Sequence, residues 1–440
     1  MSPHTPVARY RAARRGALAF ALTAAAWLAA AGGAAARSPY PAAAQRPPSA
    51  ARLAQVARLR ARAQARAAST HVPRRKRKPS PTLHGDALRA LEAFEAMQRH
   101  YYVVGSGLYA GEPFSYLWPF SQAFAATVSM ANVEGVPKIP GLGSKLAEEV
   151  HERLVGLNSY LDLNNSGASE GTFTSTLAAF DGEVAPPVGP GGPKYYDDND
   201  WMGIELVRTY EFTHKAAALG SAEAIMAFEM AGWNEDPQLV CPGGIPFSNI
   251  SQSTERNTVT NAPAAELALQ LYRVTKEAQY LQFAEKAYNW VRTCLLQPNG
   301  LYADHIGNQG VIEKTYWSYN QGSMIGAAAL LYEATGNANY LNEARSTAAA
   351  AQSYFSLQRL DEEIPFFASV YFRDLLYLGA VAHESWGTSL AQAYVNHAWE
   401  VRRLPGYVFE AGTPPSAQLL VQAAIVQVYA LLASPPSTYF

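Results

Sequence analysis

The chain has 440 residues, 49% hydrophobic and 11% aromatic, enough for one large folded domain with extensions. Its formal charge of −1 averages two unlike regions: residues 1–80 hold 16 Lys and Arg and no acid, so the other 360 hold 19 basic and 36 acidic groups, a balance of −17. An acidic folded part argues against nucleic acid and anionic polymers as partners and points to a neutral or cationic substrate.

In chain order, "RYRAARR" (9–15) is a basic leader and "GALAFALTAAAWLAAAGGAAA" (16–36) an apolar run ending in small residues. Residues 1–36 read as an export signal cleaved before Arg37, which predicts a secreted or cell-surface protein. The run is about 20 residues long, so an uncleaved anchor is the alternative, and membrane contact is expected only if it is retained. Residues 37–80, rich in Ala, Arg and Pro and ending in "PRRKRKPSP", cannot bury a core and predict a disordered basic linker.

Residues 81–440 form the expected folded domain. Helix-period patterns recur at about 83–102, 118–132, 144–161, 198–214, 221–234, 258–275, 278–296, 317–335, 338–355, 366–381, 385–402 and 416–433, with no sustained strand alternation. Three stretches repeat one unit, in which an apolar helix ends in Tyr and Thr and a short turn leads to a more polar helix. The tyrosines, Tyr210, Tyr272 and Tyr332, are 62 and 60 residues apart. Six such hairpins predict an all-α (α/α)6 barrel with the more apolar helices inside; an open solenoid is the alternative. Only two cysteines occur, Cys241 and Cys294, and pairing or two apolar thiols are equally compatible with the sequence.

The starts of the inner helices would share one end of such a barrel, and they are rich in aromatics, amides and acids. They read "SYLWPFSQ", "YYDDNDWM", "TERNTVTNAPAAEL", "KTYWSYNQGSM" and "PFFASVYFRDLL". Aromatic faces stack on pyranose rings and amides bind hydroxyls, so Trp118, Tyr196, Asn199, Trp201 and Trp317 become candidate sugar contacts. N-capping accounts equally well for any one amide, such as Asn261 or Asn320, while their recurrence across several helix starts favours a site. Asp197 and Asp198 are adjacent. One aspartate at a helix start would be a cap, and two plus Asp200 exceed what a cap needs. A calcium loop is broken by Trp201 and Met202. Glycoside hydrolysis needs one protonated acid and one carboxylate, about 5–5.5 Å apart in retaining enzymes. Neighbouring Cα atoms lie about 3.8 Å apart, so adjacent aspartates reach that separation. Their repulsion would keep one of them protonated.

"YYDDNDW", "NTVTNA", "WSYNQGSMIGAAALLYEATGNANYL" and "FFASVYFRDL" resemble the motifs of glycoside hydrolase family 76, the α-1,6-mannanases, over about residues 83–433. The resemblance implies an (α/α)6 barrel, a retaining mechanism with Asp197 as nucleophile and Asp198 as general acid/base, and no cofactor or metal. It places Asn261, Tyr319, Asn320 and Gln321 near the sugar, with Asp304 and Arg373 as further candidates that a structural salt bridge would explain equally well. Met202 and Gly203 after the Trp, and the insertion "EVAPPVGPGGP" (183–193), depart from the family pattern. The expectation is a monomeric exported hydrolase acting on α-mannan or a related neutral polysaccharide. A cell-wall transglycosylase and a non-catalytic glycan-binding surface protein are the alternatives.

Overall fold

The computed structural model describes residues 82–163, 177–250, 253–410 and 418–440; the expected signal (1–36) and linker (37–80) lie outside them. Among the described residues there are twelve long helices, at the positions the periodicity predicts. They are α1 (Gly85–Tyr101), α2 (Leu117–Ala131), α3 (Leu142–Leu157), α4 (Tyr196–Thr213), α5 (Ala216–Gly232), α6 (Thr258–Thr275), α7 (Ala278–Leu295), α8 (Ser318–Thr335), α9 (Ala338–Tyr354), α11 (Pro365–Ala382), α12 (Thr388–Val401) and α13 (Gln418–Leu432). A short α10 (Leu357–Glu362) precedes α11.

The two kinds of helix differ in burial as their sequences do. In α8 every residue from Ser318 to Leu331 is buried, and in α11 every residue from Pro365 to Gly379. In α7 burial follows one stripe, Tyr280, Phe283, Ala284, Ala287, Tyr288, Val291 and Leu295, the i, i+3, i+4 spacing of a helix with one face on a core. Helices α2, α4, α6, α8, α11 and α13 form the inner ring. Its first and last members are joined by the Gln427 amide, which donates to the Gln122 carbonyl at 3.2 Å. The architecture is the (α/α)6 barrel.

The repeated Tyr-x-x-Thr unit makes the inner-to-outer turns. Thr213, Thr275 and Thr335 donate their hydroxyls to the carbonyl four residues back (2.7, 2.8 and 2.7 Å). Each of those hydroxyls accepts from the backbone N–H two residues on, of Lys215, Glu277 and Asn337. The residue between, His214, Lys276 or Gly336, is left-handed (φ 56°, 63° and 70°), and its N–H caps the tyrosine carbonyl. These turns are short, and the longest connections gather at the other end, around the inner-helix N-termini.

Those N-termini are capped from outside. The first N–H of α2 donates to Gly182 O (2.9 Å), that of α4 to Phe247 O (3.2 Å), and that of α6 to Asp304 O (2.8 Å); that of α8 donates to the Glu363 carboxylate (3.2 Å). In each case the acceptor belongs to the loop leading to the next inner helix. Loops thus satisfy the first N–H of each of these helices, and the residue preceding α4, Tyr195, makes no side-chain cap.

Short strands brace the loops. β1 (Arg256–Asn257), β2 (His305–Ile306) and β3 (Ile312–Glu313) form an antiparallel sheet, with Asn257 opposite His305 and His305 opposite Glu313. Cys241 and Cys294 are disulfide-bonded (Cα–Cα 6.1 Å), tying the loop before α6 to the end of α7. Arg256 holds the same loop by donating to the carbonyls of Val240, Cys241 and Gly243 (2.7–2.8 Å). Among the described residues no helix is long and apolar enough to cross a membrane.

Candidate active site

Asp197 and Asp198 open the first turn of α4. Asp197 is half-buried, and only 8% of Asp198 is exposed. The helix N-terminus favours the ionised form of Asp197, and the backbone N–H groups of Asp198 and Asp197 pull its pKa down. Burial acts against this and is larger. With the negative charges of Glu255 and Asp304 added, it raises Asp197 to about 7. Asp198 is pushed well above the ordinary carboxylate range, first by burial and then by the charge on Asp197. The two acids form one coupled pair, in which loading charge onto Asp197 keeps the proton on Asp198.

Aromatic side chains from four inner helices meet beside these acids. Trp118 of α2 lies edge-on to Phe366 of α11 (5.3 Å) and roughly parallel to Phe367 (6.4 Å). Trp201 of α4 meets Phe366 at 5.7 Å, and Trp317, at the head of α8, meets Phe367 at 5.3 Å. Tyr319 stacks flat on Phe367, 4.1 Å between centroids and 5° between planes. Trp201 and Tyr319 are buried and build the floor, whereas Trp118 and Trp317 are half-exposed and available at its rim.

Polar groups line the side towards α6 and α8. Asp304 accepts from the Asn320 amide (3.0 Å) and is paired with His305 Nδ1 (3.0 Å). Burial lowers the His305 pKa, but Asp304, Glu255 and Glu313 outweigh it and raise it overall.

Other expected sugar contacts are committed elsewhere. Tyr196 turns to the outer ring and stacks on Phe228 of α5 (4.3 Å, 13°). The amides of Asn199, Asn261 and Gln321 are spent on backbone. Each accepts from one loop N–H, of Phe180 (2.8 Å), Ile245 (2.7 Å) or Tyr302 (2.8 Å), and donates to that residue's carbonyl and to the carbonyl four residues back. Gln422 likewise accepts from the Phe409 N–H, and donates to the carbonyls of Tyr407 and Ala93. These amides are loop anchors, neither caps nor open hydroxyl-binding groups, because their donors and acceptors are already paired. Arg373 lies inside the barrel below Trp201, with bonds to Glu266 (2.7 Å) and Asp374 (2.8 Å), the salt-bridge alternative foreseen for it. Asp304 remains at the site, beside Asp197.

Sequence reasoning passed over Glu255, His305, Phe366 and Phe367. All four stand in or beside the aromatic and polar strings singled out above. Their signal was that placement at helix heads.

The model of glycosyl hydrolase family 76 matches residues 89–370. A mannan endo-1,6-α-mannosidase of Candida glabrata is 28% identical over 156 residues, 32% of this chain and 34% of that protein. The chain thus spans about a third of the length of this curated relative. An α-mannanase of family 76 from Bacteroides thetaiotaomicron superposes with a TM-score of 0.68 at 19% identity, covering 80% of this chain and 96% of its own. An inactive variant of a Salegentibacter α-1,6-mannanase, with two consecutive aspartates replaced by asparagine and α-1,6-mannotriose bound, superposes with a TM-score of 0.60 at 20% identity, over 79% of this chain and 100% of its own. At such identities the structures attest the fold, while the family model reaches over well more than half of the chain. The chain belongs to glycosyl hydrolase family 76.

Proposed function

We propose that this chain is an exported glycoside hydrolase that cleaves α-1,6-mannosidic linkages of mannan by double displacement. Asp197 attacks the anomeric carbon as its carboxylate, and Asp198 gives its proton to the departing glycosidic oxygen. Asp198 then takes a proton from the water that releases the sugar from Asp197. The observation that carries the reading is the unequal pair itself. Two carboxyls lie side by side at one helix head next to an aromatic floor, both raised by burial, with the charge on Asp197 adding to the rise at Asp198. Among the relatives, the one inactivated at two consecutive aspartates was captured with α-1,6-mannotriose, and the fungal proteins are named for the same linkage. A neutral sugar polymer also suits an acidic domain. The disulfide accords with an oxidising compartment and therefore with export to the medium or the cell surface.

The test is release of manno-oligosaccharides from linear α-1,6-mannan, read by chromatography. Asp197→Asn and Asp198→Asn should each lower kcat by about 10³-fold or more, and normal turnover in either variant rejects the assignment. Products longer than the starting oligosaccharide would instead identify a transglycosylase using the same covalent intermediate. Binding without any turnover would identify a lectin-like surface protein.

A further inference from the structure

The third acid of the motif, Asp200, has no place in that two-acid scheme. It is fully buried, as is Glu229 of α5, and all four of their carboxyl oxygens lack a hydrogen-bond partner. The α4–α5 contact brings these two within electrostatic reach of each other. Tyr196 stacks on Phe228, and a Cβ at Gly232 would fall 2.6 Å from the Tyr196 ring, so the head of α4 lies on the last turn of α5. The two helices run in opposite directions. One turn below Tyr196 is Asp200, and beside Phe228 is Glu229. Asp197, three residues before Asp200, lies on the same side of α4 and has its own buried Oδ1 without a partner.

The charged groups around Asp200 are Asp197 on its own helix, Glu229 on α5 and Glu266 on α6. The nearby cations are committed: Arg373 to Glu266 and Asp374, and Arg208 to Glu205. Carboxylates that only accept hydrogen bonds cannot satisfy one another in a dry interior, and among the described residues no cation forms an ion pair with either of them. A carboxyl that keeps its proton becomes a donor, which removes both difficulties. We propose that Asp200 and Glu229 form a neutral carboxyl pair behind Asp197, each keeping its own proton, and that Asp200 is a positioning residue whose retained proton lets Asp197 carry the negative charge of the site. Burial and the charge of Asp197 both act to keep Asp200 protonated, and burial does the same for Glu229. An ionised Asp200 would press Asp197 towards its protonated, non-nucleophilic form.

This role rests on the proposed hydrolysis, so the test has one arm that needs no turnover. Infrared difference spectra of the full chain, taken at a pH above the Asp197 midpoint, should show the C=O stretch of protonated carboxyls. Part of that band should disappear in Asp200→Asn and in Glu229→Gln. A band unchanged in both overturns the neutral pair, whether or not the protein cleaves mannan. The second arm is the acidic limb of kcat/KM on α-1,6-manno-oligosaccharides. Asp200→Asn, a neutral donor of the same shape, should leave the limb in place, whereas Asp200→Leu should raise it by about one pH unit through loss of the donor. A limb lowered by about one unit in Asp200→Asn would mean that a negative charge had been removed, and would overturn the proposal.

Discussion

The reactive acids owe their properties to opposing effects on single side chains. A helix N-terminus and two backbone N–H groups would hold Asp197 low; burial, with Glu255 and Asp304 nearby, wins and sets it at about 7. Hydrolysis needs Asp197 ionised and Asp198 protonated. The kcat/KM profile should therefore rise with pH through about 7 and fall again only well above it, and a pH–rate series on mannotriose checks this. An acidic limb near pH 4, the ordinary value, would contradict the burial argument. The anchoring amides behave differently. Asn261→Ala strands the N–H and C=O of Ile245 and the C=O of Asn257, at about 2–3 kcal/mol. Thermal unfolding should register that loss, with KM for manno-oligosaccharides little changed; the reverse pattern would restore Asn261 to the sugar. The sequence marks both kinds of residue by position alone. It cannot separate them, because an amide anchoring a loop and an amide binding a hydroxyl look alike until their partners are known.

At the scale of elements, the site depends on loops that cap helices belonging to their neighbours. The loop before α6 is the most heavily fastened, by the Cys241–Cys294 bond, by Arg256 on three carbonyls, and by Trp290, which donates to Cys241 O. It also delivers Phe247, which accepts the first N–H of α4, the helix carrying the acids. The bond closes a loop of 53 residues, a constraint of about 4 kcal/mol on the unfolded chain. Reduction, or Cys241→Ser with Cys294→Ser, should lower Tm by several degrees and loosen the head of α4, read as a fall in kcat under conditions where the barrel remains folded. An unchanged Tm would show that Arg256 alone suffices. From the sequence these thiols stood equally as a bond or as two apolar residues, since their approach depends on how the loop is folded back over α7.

The barrel as a whole contains carboxyls that folding protonates. Burial raises Asp374 to about 6, Asp197 to about 7 and Glu363 to about 8, against ordinary values of about 4. Between those limits the native state binds more protons than the unfolded chain. Their contribution to stability is complete below about pH 4 and is lost as pH rises through 6, 7 and 8 in turn. Tm should accordingly fall between about pH 5 and about pH 9, measured by calorimetry at constant ionic strength. A rise over that interval would mean that these groups are ionised inside the barrel.

What the sequence determined by itself was the periodic part: twelve helices, their pairing through the Tyr-x-x-Thr turns, and which helices lie inside. Those features follow from local spacing and from the contrast between all-round apolar helices and one-sided ones. It also placed the two adjacent acids at a helix head. Tertiary structure alone decided that a loop carbonyl, that of Phe247, takes the first N–H of that head. It also decided which amides were already paired, that Arg373 is held by Glu266, and that the cysteines join. Each of these is a contact between segments far apart in the chain, and residue type and spacing carry no record of such a partner.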